Sequence, residues 1–289
     1  MPAKINLHLG VGPRRPDGFH DLQTVFQAVS IYDEVTAYPA PGLSVLMKGQ
    51  DAEEVAWDST NLAVRAAQLL ADATGVDPTA RLGIYKEIPV AGGMGGGSAD
   101  AAAALVACDA FWGTQLSRST MLELAAQLGS DVPFLLQGGT ALGTGRGEVL
   151  TPVLARGTFH WVLAVAEKGL STPEVYGALD ELRGPEAGAT PPDAVLAALG
   201  SGDPAELGAA LHNDMEPAAL KLRPALRATL DAGLDLGALG GIVSGSGPTC
   251  AFLARDRNDA ITLGAALTAE SVCRTVRIAE GPVVGARVV

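Results

Sequence analysis

Residues 89–103 read PVAGGMGGGSADAAA, and five of the six positions from Gly92 to Gly97 are glycine. Glycine admits positive φ and lets a ligand come close to the main chain. Successive N–H groups in such a turn converge on an anion. Ser98 and Asp100 then open an alanine-rich helix, whose first turn offers unpaired N–H groups and the positive end of the helix dipole. A flexible surface loop ahead of a helix would also fit a glycine run alone. The run lies between an apolar strand over 81–88 and a tightly packing helix, and that setting favours a phosphate cradle.

The common nucleotide motifs are excluded. A P-loop has the length of Gly92 to Gly97, but Ser98 stands where a lysine is required. A Rossmann fingerprint fails because no glycine follows Gly93 and Gly95 at the needed offset, and a protein-kinase loop fails for the same reason.

Outward from the loop, the pattern is α+β. Strands are expected over 5–11, 25–38 and 43–48, with a tight turn at Pro13 to Gly18. A helix is expected from Asn61, as N-cap, to a stop at Gly75, and another over about 117–128. A Gly-rich strand pair follows Gly138. Near residue 155 the pattern changes. FHWVLAVA (159–166) reads as a buried strand, followed by helices over 172–183, 191–200, 203–212 and 217–233. GIVSGSGPTCAFLA is a strand–turn–strand unit, and a helix near 258–269 and a strand near 272–279 finish the chain. Consecutive strands with inserted helices, then helices with an antiparallel sheet, exclude an alternating βαβ fold. Two domains are expected, 1–154 and 155–289, in keeping with 289 residues.

Bulk composition narrows the function. Hydrophobic residues make up 48% and charged residues 18%, which supports a substantial core. The net charge is −12 with no Lys/Arg-rich run, so a nucleic-acid track or an anionic membrane surface is not expected. Cys108, Cys250 and Cys273 are far apart, which predicts a reducing compartment and no disulfide framework. His8, His20, His160 and His212 lack metal-ligand spacing, so no structural metal is expected. No apolar stretch reaches the length of a membrane helix and no signal peptide is evident. A cytoplasmic protein, monomeric or weakly dimeric, is expected.

The glycine stretch resembles the central motif of the GHMP kinases, Pro-x-x-x-Gly-Leu/Met-Gly-Ser/Gly-Ser-Ser/Ala. Two further segments are similar to motifs of that family and fall in the same order. They are Pro2-Ala3-Lys4-Ile5-Asn6-Leu7 and Ser244-Gly245-Ser246-Gly247-Pro248-Thr249. Together the three span nearly the whole chain. The resemblance implies a two-domain fold, with a ribosomal protein S5 domain 2-like N-terminal domain and a ferredoxin-like C-terminal domain. It also implies ATP and Mg²⁺ as cofactors. Arg15 to Leu22 (RPDGFHDL) and Leu128 to Phe134 (LGSDVPF) resemble segments of the branch of the family that phosphorylates the 2-hydroxyl of 4-diphosphocytidyl-2-C-methyl-D-erythritol in isoprenoid precursor synthesis.

In that branch the first segment holds cytosine and the second carries the catalytic aspartate. The resemblance therefore implies Lys4 and Asp131 as catalytic residues. It implies Pro89, Val90, Ala91, Gly92, Gly93, Met94, Gly95, Gly96, Gly97, Ser98 and Ala99 as the ATP-binding segment, with the amides of Ser98 to Asp100 on the triphosphate and Mg²⁺ among its oxygens. Asn6, Phe19, His20, Asp131, Thr172 and Tyr176 are the substrate-binding set. Phe19 and Tyr176 supply rings for the base and His20 reads its edge. Tyr85, Lys86 and Glu87 are candidates for touching adenine. Taken alone, each has a plainer reading: Lys4 a surface lysine, Asp131 a helix N-cap before Pro133, His20 a turn histidine, Phe19 and Tyr176 core. Gly245 and Gly247 are expected to bring the second half back towards the phosphate loop, although a hairpin without ligand contact fits them equally.

Two departures from the family stand out. Phe19 replaces the usual tyrosine, which keeps stacking but loses a hydroxyl. Only Met1 precedes the Pro-Ala-Lys motif where relatives carry a short strand: either the true start lies upstream or, with that strand absent, a bare sheet edge and a poorly anchored Lys4 are expected. Other functions consistent with the sequence are a family kinase with another acceptor, a catalytically silent nucleotide-binding regulator, and a purely structural module.

Overall fold

The computed structural model describes residues 1–184 and 187–289. Strand β1 (Pro2–Arg14) forms an antiparallel hairpin with β2 (His20–Tyr32), in a register that sets Lys4 opposite Ala28 and Asn6 opposite Phe26. The turn between them passes through Gly18 at φ 86°. On the far side of β2 lie β6 (Thr140–Thr144) and β7 (Val149–Pro152); on the far side of β1 lies the two-residue β9 (His212–Asn213), parallel to it at His8 and Leu9. A bare edge at Lys4 is therefore not found. β2 covers one side of Lys4, and on the other its N–H donates to the Met94 carbonyl at 3.1 Å. The glycine loop sits where a further strand would pair.

A second, three-stranded sheet runs β3 (Glu34–Tyr38), β5 (Arg81–Lys86), β4 (Ser44–Gly49). The single strand expected over 25–38 is thus two. The break falls at Asp33, whose carboxylate accepts the N–H groups of Glu87 and Ile88 at 2.7 and 2.9 Å. Helix α1 (Leu62–Thr74) begins where Asn61 accepts from the Ala63 N–H, and it stops at Gly75 with φ 74°. Helix α2 (Gly96–Trp112) carries Ala99, Ala101, Ala102 and Ala104 fully buried. Their small side chains let it pack closely on α1, β3 and α4 (Val132–Gln137), while α3 (Arg118–Leu128) covers the outer side.

The remaining strands, β8 (Phe159–Val165), β10 (Gly240–Val243), β11 (Cys250–Ala254) and β12 (Thr275–Gly281), make an antiparallel sheet in the order β10-β11-β8-β12. Helices α5 (Thr172–Arg183), α6 (Asp193–Ser201), α7 (Pro204–Ala210), α8 (Glu216–Leu222) and α9 (Ala225–Asp235) lie between β8 and β10, and α10 (Arg257–Glu270) lies between β11 and β12. This connectivity and strand order are ferredoxin-like. The one helix expected over 217–233 is broken at Arg223, at φ −137° and ψ 82°. A residue before proline is pushed out of the helical region, and Pro224 follows.

Two side-chain contacts join the halves, and a third fastens a turn of the second half. The Trp161 indole donates to Gln27 at 2.9 Å. Arg274 grips Asp51 through two bonds of 3.0 and 2.8 Å. Asn213 donates to the carbonyls of Val243 and Gly245, both at 2.7 Å, which fixes the turn after β10 beside β1. Among the described residues no helix is long and apolar enough to cross a membrane.

Candidate active site

A cavity of about 630 Å³ opens where the glycine loop, β1, the β1–β2 turn and the start of α5 meet. At one end lies the loop. Gly93 has φ 74° and Gly95 has φ 75°, a conformation that favours glycine. A Cβ on Gly93 would lie 2.5 Å from the Gly247 carbonyl oxygen, so the loop and the 244–249 turn touch main chain to main chain. The expectation that the second half returns to the loop is met by this contact. Helix α2 starts at Gly96, two residues earlier than expected. The Ala99 N–H already bonds the Gly95 carbonyl at 2.7 Å, so the first-turn amides left for an anion are those of Gly96, Gly97 and Ser98 rather than Ser98 to Asp100. Met94 and Ala99, expected in the nucleotide set, are buried in the core. Gly93, Gly95 and Ser98 line the cavity.

Lys4 is only 5% exposed. Its Nζ donates to Asn6 Oδ1 at 2.9 Å and stands 3.5 Å from Asp131 Oδ2. Asn6 in turn donates to Thr24 Oγ1 at 2.8 Å, and its own N–H bonds Ser244 Oγ at 3.2 Å. The lysine alkyl chain lies under Gly95, and its ammonium lies 5.6 Å from the centre of the Phe26 ring. Lys4 is therefore held from all sides and is not a surface lysine. Asp131 occupies the N-cap position of α4, yet its side chain makes no capping bond. The carboxylate is left to face Lys4 and the cavity.

The other end holds Phe19, His20, Thr172 and Tyr176. Phe19 is 52% exposed and the Arg146 guanidinium lies over it, 4.9 Å from the ring centre. Tyr176 stacks on His20 at 4.9 Å and 10°, so one face of the ring expected to cover the base is taken by the imidazole. Burial, with the Asp131 charge adding to it, pushes the Tyr176 hydroxyl up to about 12. His20 Nε2 is 2.8 Å from Asp180 Oδ1. Thr172 Oγ1 lies 2.8 Å from Ser246 Oγ, joining α5 to the turn after β10.

Of the residues expected at adenine, Lys86 is removed by the structure. It is 2% exposed and ion-paired with Asp33 and Asp100, beneath the loop. Sequence reading missed Arg14, Thr24, Arg146, Asp180 and Met215, all of which line the cavity. The signal for Arg146 was the GTGRGE turn itself, a basic residue among glycines. Lys4, Arg14 and Arg146 face the cavity against Asp131 and Asp180, so this pocket carries more positive than negative side chains on a protein of net charge −12.

A glycine loop at a helix N-terminus, a buried lysine beside a carboxylate that makes no capping bond, and aromatic side chains line one cavity on a two-domain α+β scaffold. Residues 61–139 match the GHMP kinases N terminal domain and residues 195–272 the GHMP kinases C terminal domain. The chain belongs to the GHMP kinase family. It is 61% identical to the 4-diphosphocytidyl-2-C-methyl-D-erythritol kinase of Salinispora tropica, over 100% of this chain and 93% of that protein. Among solved structures, a 4-(cytidine 5'-diphospho)-2C-methyl-D-erythritol kinase superposes with TM-score 0.79 at 33% identity, over 96% of this chain and 97% of that one. A homoserine kinase from Cytophaga hutchinsonii has TM-score 0.74 at 18% identity, over 98% and 96% of the two chains, a likeness of fold.

Proposed function

We propose that this chain is a cytoplasmic ATP-dependent kinase that phosphorylates the 2-hydroxyl of 4-diphosphocytidyl-2-C-methyl-D-erythritol, a step of isoprenoid precursor synthesis. One observation carries the reading. A single cavity sets the Lys4–Asp131 pair between the glycine loop and the Phe19–His20 end. Residues 1–154 supply the phosphate loop and the reacting pair, and residues 155–289 supply the 244–249 turn and α5.

Phosphoryl transfer needs positioning and charge neutralisation more than covalent help. The amides of Gly96, Gly97 and Ser98 hold the triphosphate. The acceptor oxygen bonds to the γ-phosphorus as the bond to the β–γ bridging oxygen breaks, and ADP leaves. Asp131 takes the hydroxyl proton, Lys4 stabilises the developing negative charge, and Asn6 keeps Lys4 aimed. Phe19 stacks on the base and His20 reads its edge. Thr172, which lines the same end of the cavity, helps to hold the substrate.

Among the described residues no group of three His, Cys, Asp or Glu side chains is placed to hold a metal ion. Magnesium keeps several waters and is bound through substrate phosphates and one or two protein oxygens. Ser98, at the start of α2, would give it a protein oxygen in the cavity. When bound, it neutralises charge on the phosphates.

The test is an acceptor panel with ATP: 4-diphosphocytidyl-2-C-methyl-D-erythritol, mevalonate and homoserine. Turnover is expected with the first alone. Turnover with either of the others in its place would overturn the reading.

A further inference from the structure

His20 opens β2 and is 7% exposed. Two residues of α5 hold its ring. Asp180 Oδ1 lies 2.8 Å from Nε2, and Tyr176, one turn earlier on the helix, lies flat against its face at 4.9 Å. An ionised carboxylate only accepts hydrogen bonds, so Nε2 is the donor in this pair. The other nitrogen, Nδ1, has no hydrogen-bond partner among the described residues and is not sealed from solvent, in a ring that lines the cavity. With the proton on Nε2, a neutral imidazole presents Nδ1 as an acceptor.

We propose that Asp180 is a positioning residue that fixes His20 as a hydrogen-bond acceptor towards the cavity, so that the pyrimidine of the acceptor substrate is selected through its exocyclic amine. The inference rests on the cytidylyl substrate proposed above. Cytosine carries an N–H donor at C4 where uracil carries a carbonyl oxygen. An acceptor nitrogen placed there binds the first and repels the second. Without Asp180 the proton is free to sit on Nδ1, and the imidazole then donates equally well to the uracil oxygen. The neighbouring stack on Tyr176 keeps the ring in plane whichever nitrogen is protonated, so the carboxylate alone sets the polarity.

The test compares the wild type with Asp180→Ala and Asp180→Asn on the diphosphocytidyl substrate and its diphosphouridyl analogue. The wild type is expected to favour the cytidylyl form in kcat/KM by about 10²-fold or more, as sites that hydrogen-bond a substrate group do. Asp180→Ala should raise the cytidylyl KM about tenfold, leave kcat within about twofold, and bring the two substrates to within about tenfold of each other, the loss of one charge-assisted bond. Asp180→Asn retains an acceptor oxygen and should keep most of the preference. Heteronuclear NMR of histidine-labelled wild type should find the His20 proton on Nε2 and Nδ1 bare, with a mixture in Asp180→Ala. An unchanged preference in a folded Asp180→Ala, or a wild-type His20 protonated on both nitrogens, would overturn the proposal. Failure of the wild type to phosphorylate either nucleotide would instead remove the substrate reading beneath it.

Discussion

Lys4 Nζ lies 2.9 Å from Asn6 Oδ1 but 3.5 Å from Asp131 Oδ2. A direct ammonium–carboxylate bond is shorter, about 2.7–2.9 Å. The lysine is thus anchored on its own strand and only leans towards the aspartate. Thr24 continues the anchoring: it accepts from Asn6 at 2.8 Å and donates to the His8 carbonyl at 2.8 Å. The carboxylate, free of capping duty, lines the cavity. Lys4 and Asp131 therefore present a positive and a negative group to the same point without neutralising each other in a tight pair.

Phe19 is half exposed, with Arg146 across its ring. Its removal takes little from the core. Phe19→Ala is expected to raise KM for the cytidylyl substrate about tenfold, in line with about 1–3 kcal/mol for one base–aromatic stack. KM for ATP and the thermal midpoint should stay near the wild-type values. Equal effects on both substrates would show that the ring supports the site as a whole.

Gly93→Ala tests the loop. A methyl group there meets the Gly247 carbonyl oxygen at 2.5 Å, at a φ of 74° that side chains rarely adopt. The backbone conformation costs about 1–3 kcal/mol for a non-glycine residue. A lower thermal midpoint and a raised KM for ATP are expected together. Gly97 offers the contrast, since a Cβ there meets only Leu62 Cδ1 at 3.6 Å. Equal melting of the two alanine variants would contradict the close approach.

Lys86 sits between two carboxylates. Its Nζ donates to Asp100 Oδ2 at 2.7 Å and to Asp33, and a Cβ on Gly96 would stand 3.4 Å from it. Burial, relieved by Lys86 and reinforced by Asp33, pushes the Asp100 carboxyl up. Lys86→Met should cost about 3–5 kcal/mol, the usual result of stranding buried charge. Chemical denaturation measures this directly. A variant as stable as the wild type would mean that the cluster is not held by the lysine.

Asp214 predicts an acid dependence. Burial pushes its carboxyl up, but bonds from His212, the Thr190 hydroxyl and the N–H groups of Val11 and Thr190 outweigh it and hold the group at about 2. A depressed carboxyl adds stability above the ordinary aspartate range, near pH 4, and loses it as pH falls towards 2. Between those limits the unfolded chain binds more protons than the folded one. The stability gap between wild type and Asp214→Asn should thus be widest near neutrality and close in acid. Urea titrations across this range test it, and a gap independent of pH would contradict it.

What the sequence made legible was local chemistry. The Asn61 cap, the Gly75 stop and the left-handed glycines of the loop each follow from one residue's backbone preferences. The α+β class and the three motifs were readable for the same reason. Pairings over long separations were not. His20 and Asp180 are far apart in the chain, as are Asp33 and Lys86, and nothing in local pattern selects one aspartate among many. The α2 start was misplaced because glycine is a poor helix former, yet packing on α1 and β3 carries Gly96 and Gly97 into the first turn. β9 is too short for any periodicity. It lies beside β1 at His8 and Leu9, and Asn213 within it fastens the 243–245 turn.

The most direct test is ATP-dependent phosphorylation of 4-diphosphocytidyl-2-C-methyl-D-erythritol by the wild type and Asp131→Asn side by side, with melting curves for both. The account predicts turnover by the wild type, a kcat lower by about 10²–10⁴ in the variant, as expected for lost proton transfer, and nearly equal thermal midpoints. Normal turnover by Asp131→Asn, or a variant that fails because it no longer folds, would contradict the place given to this carboxylate at the centre of the reaction.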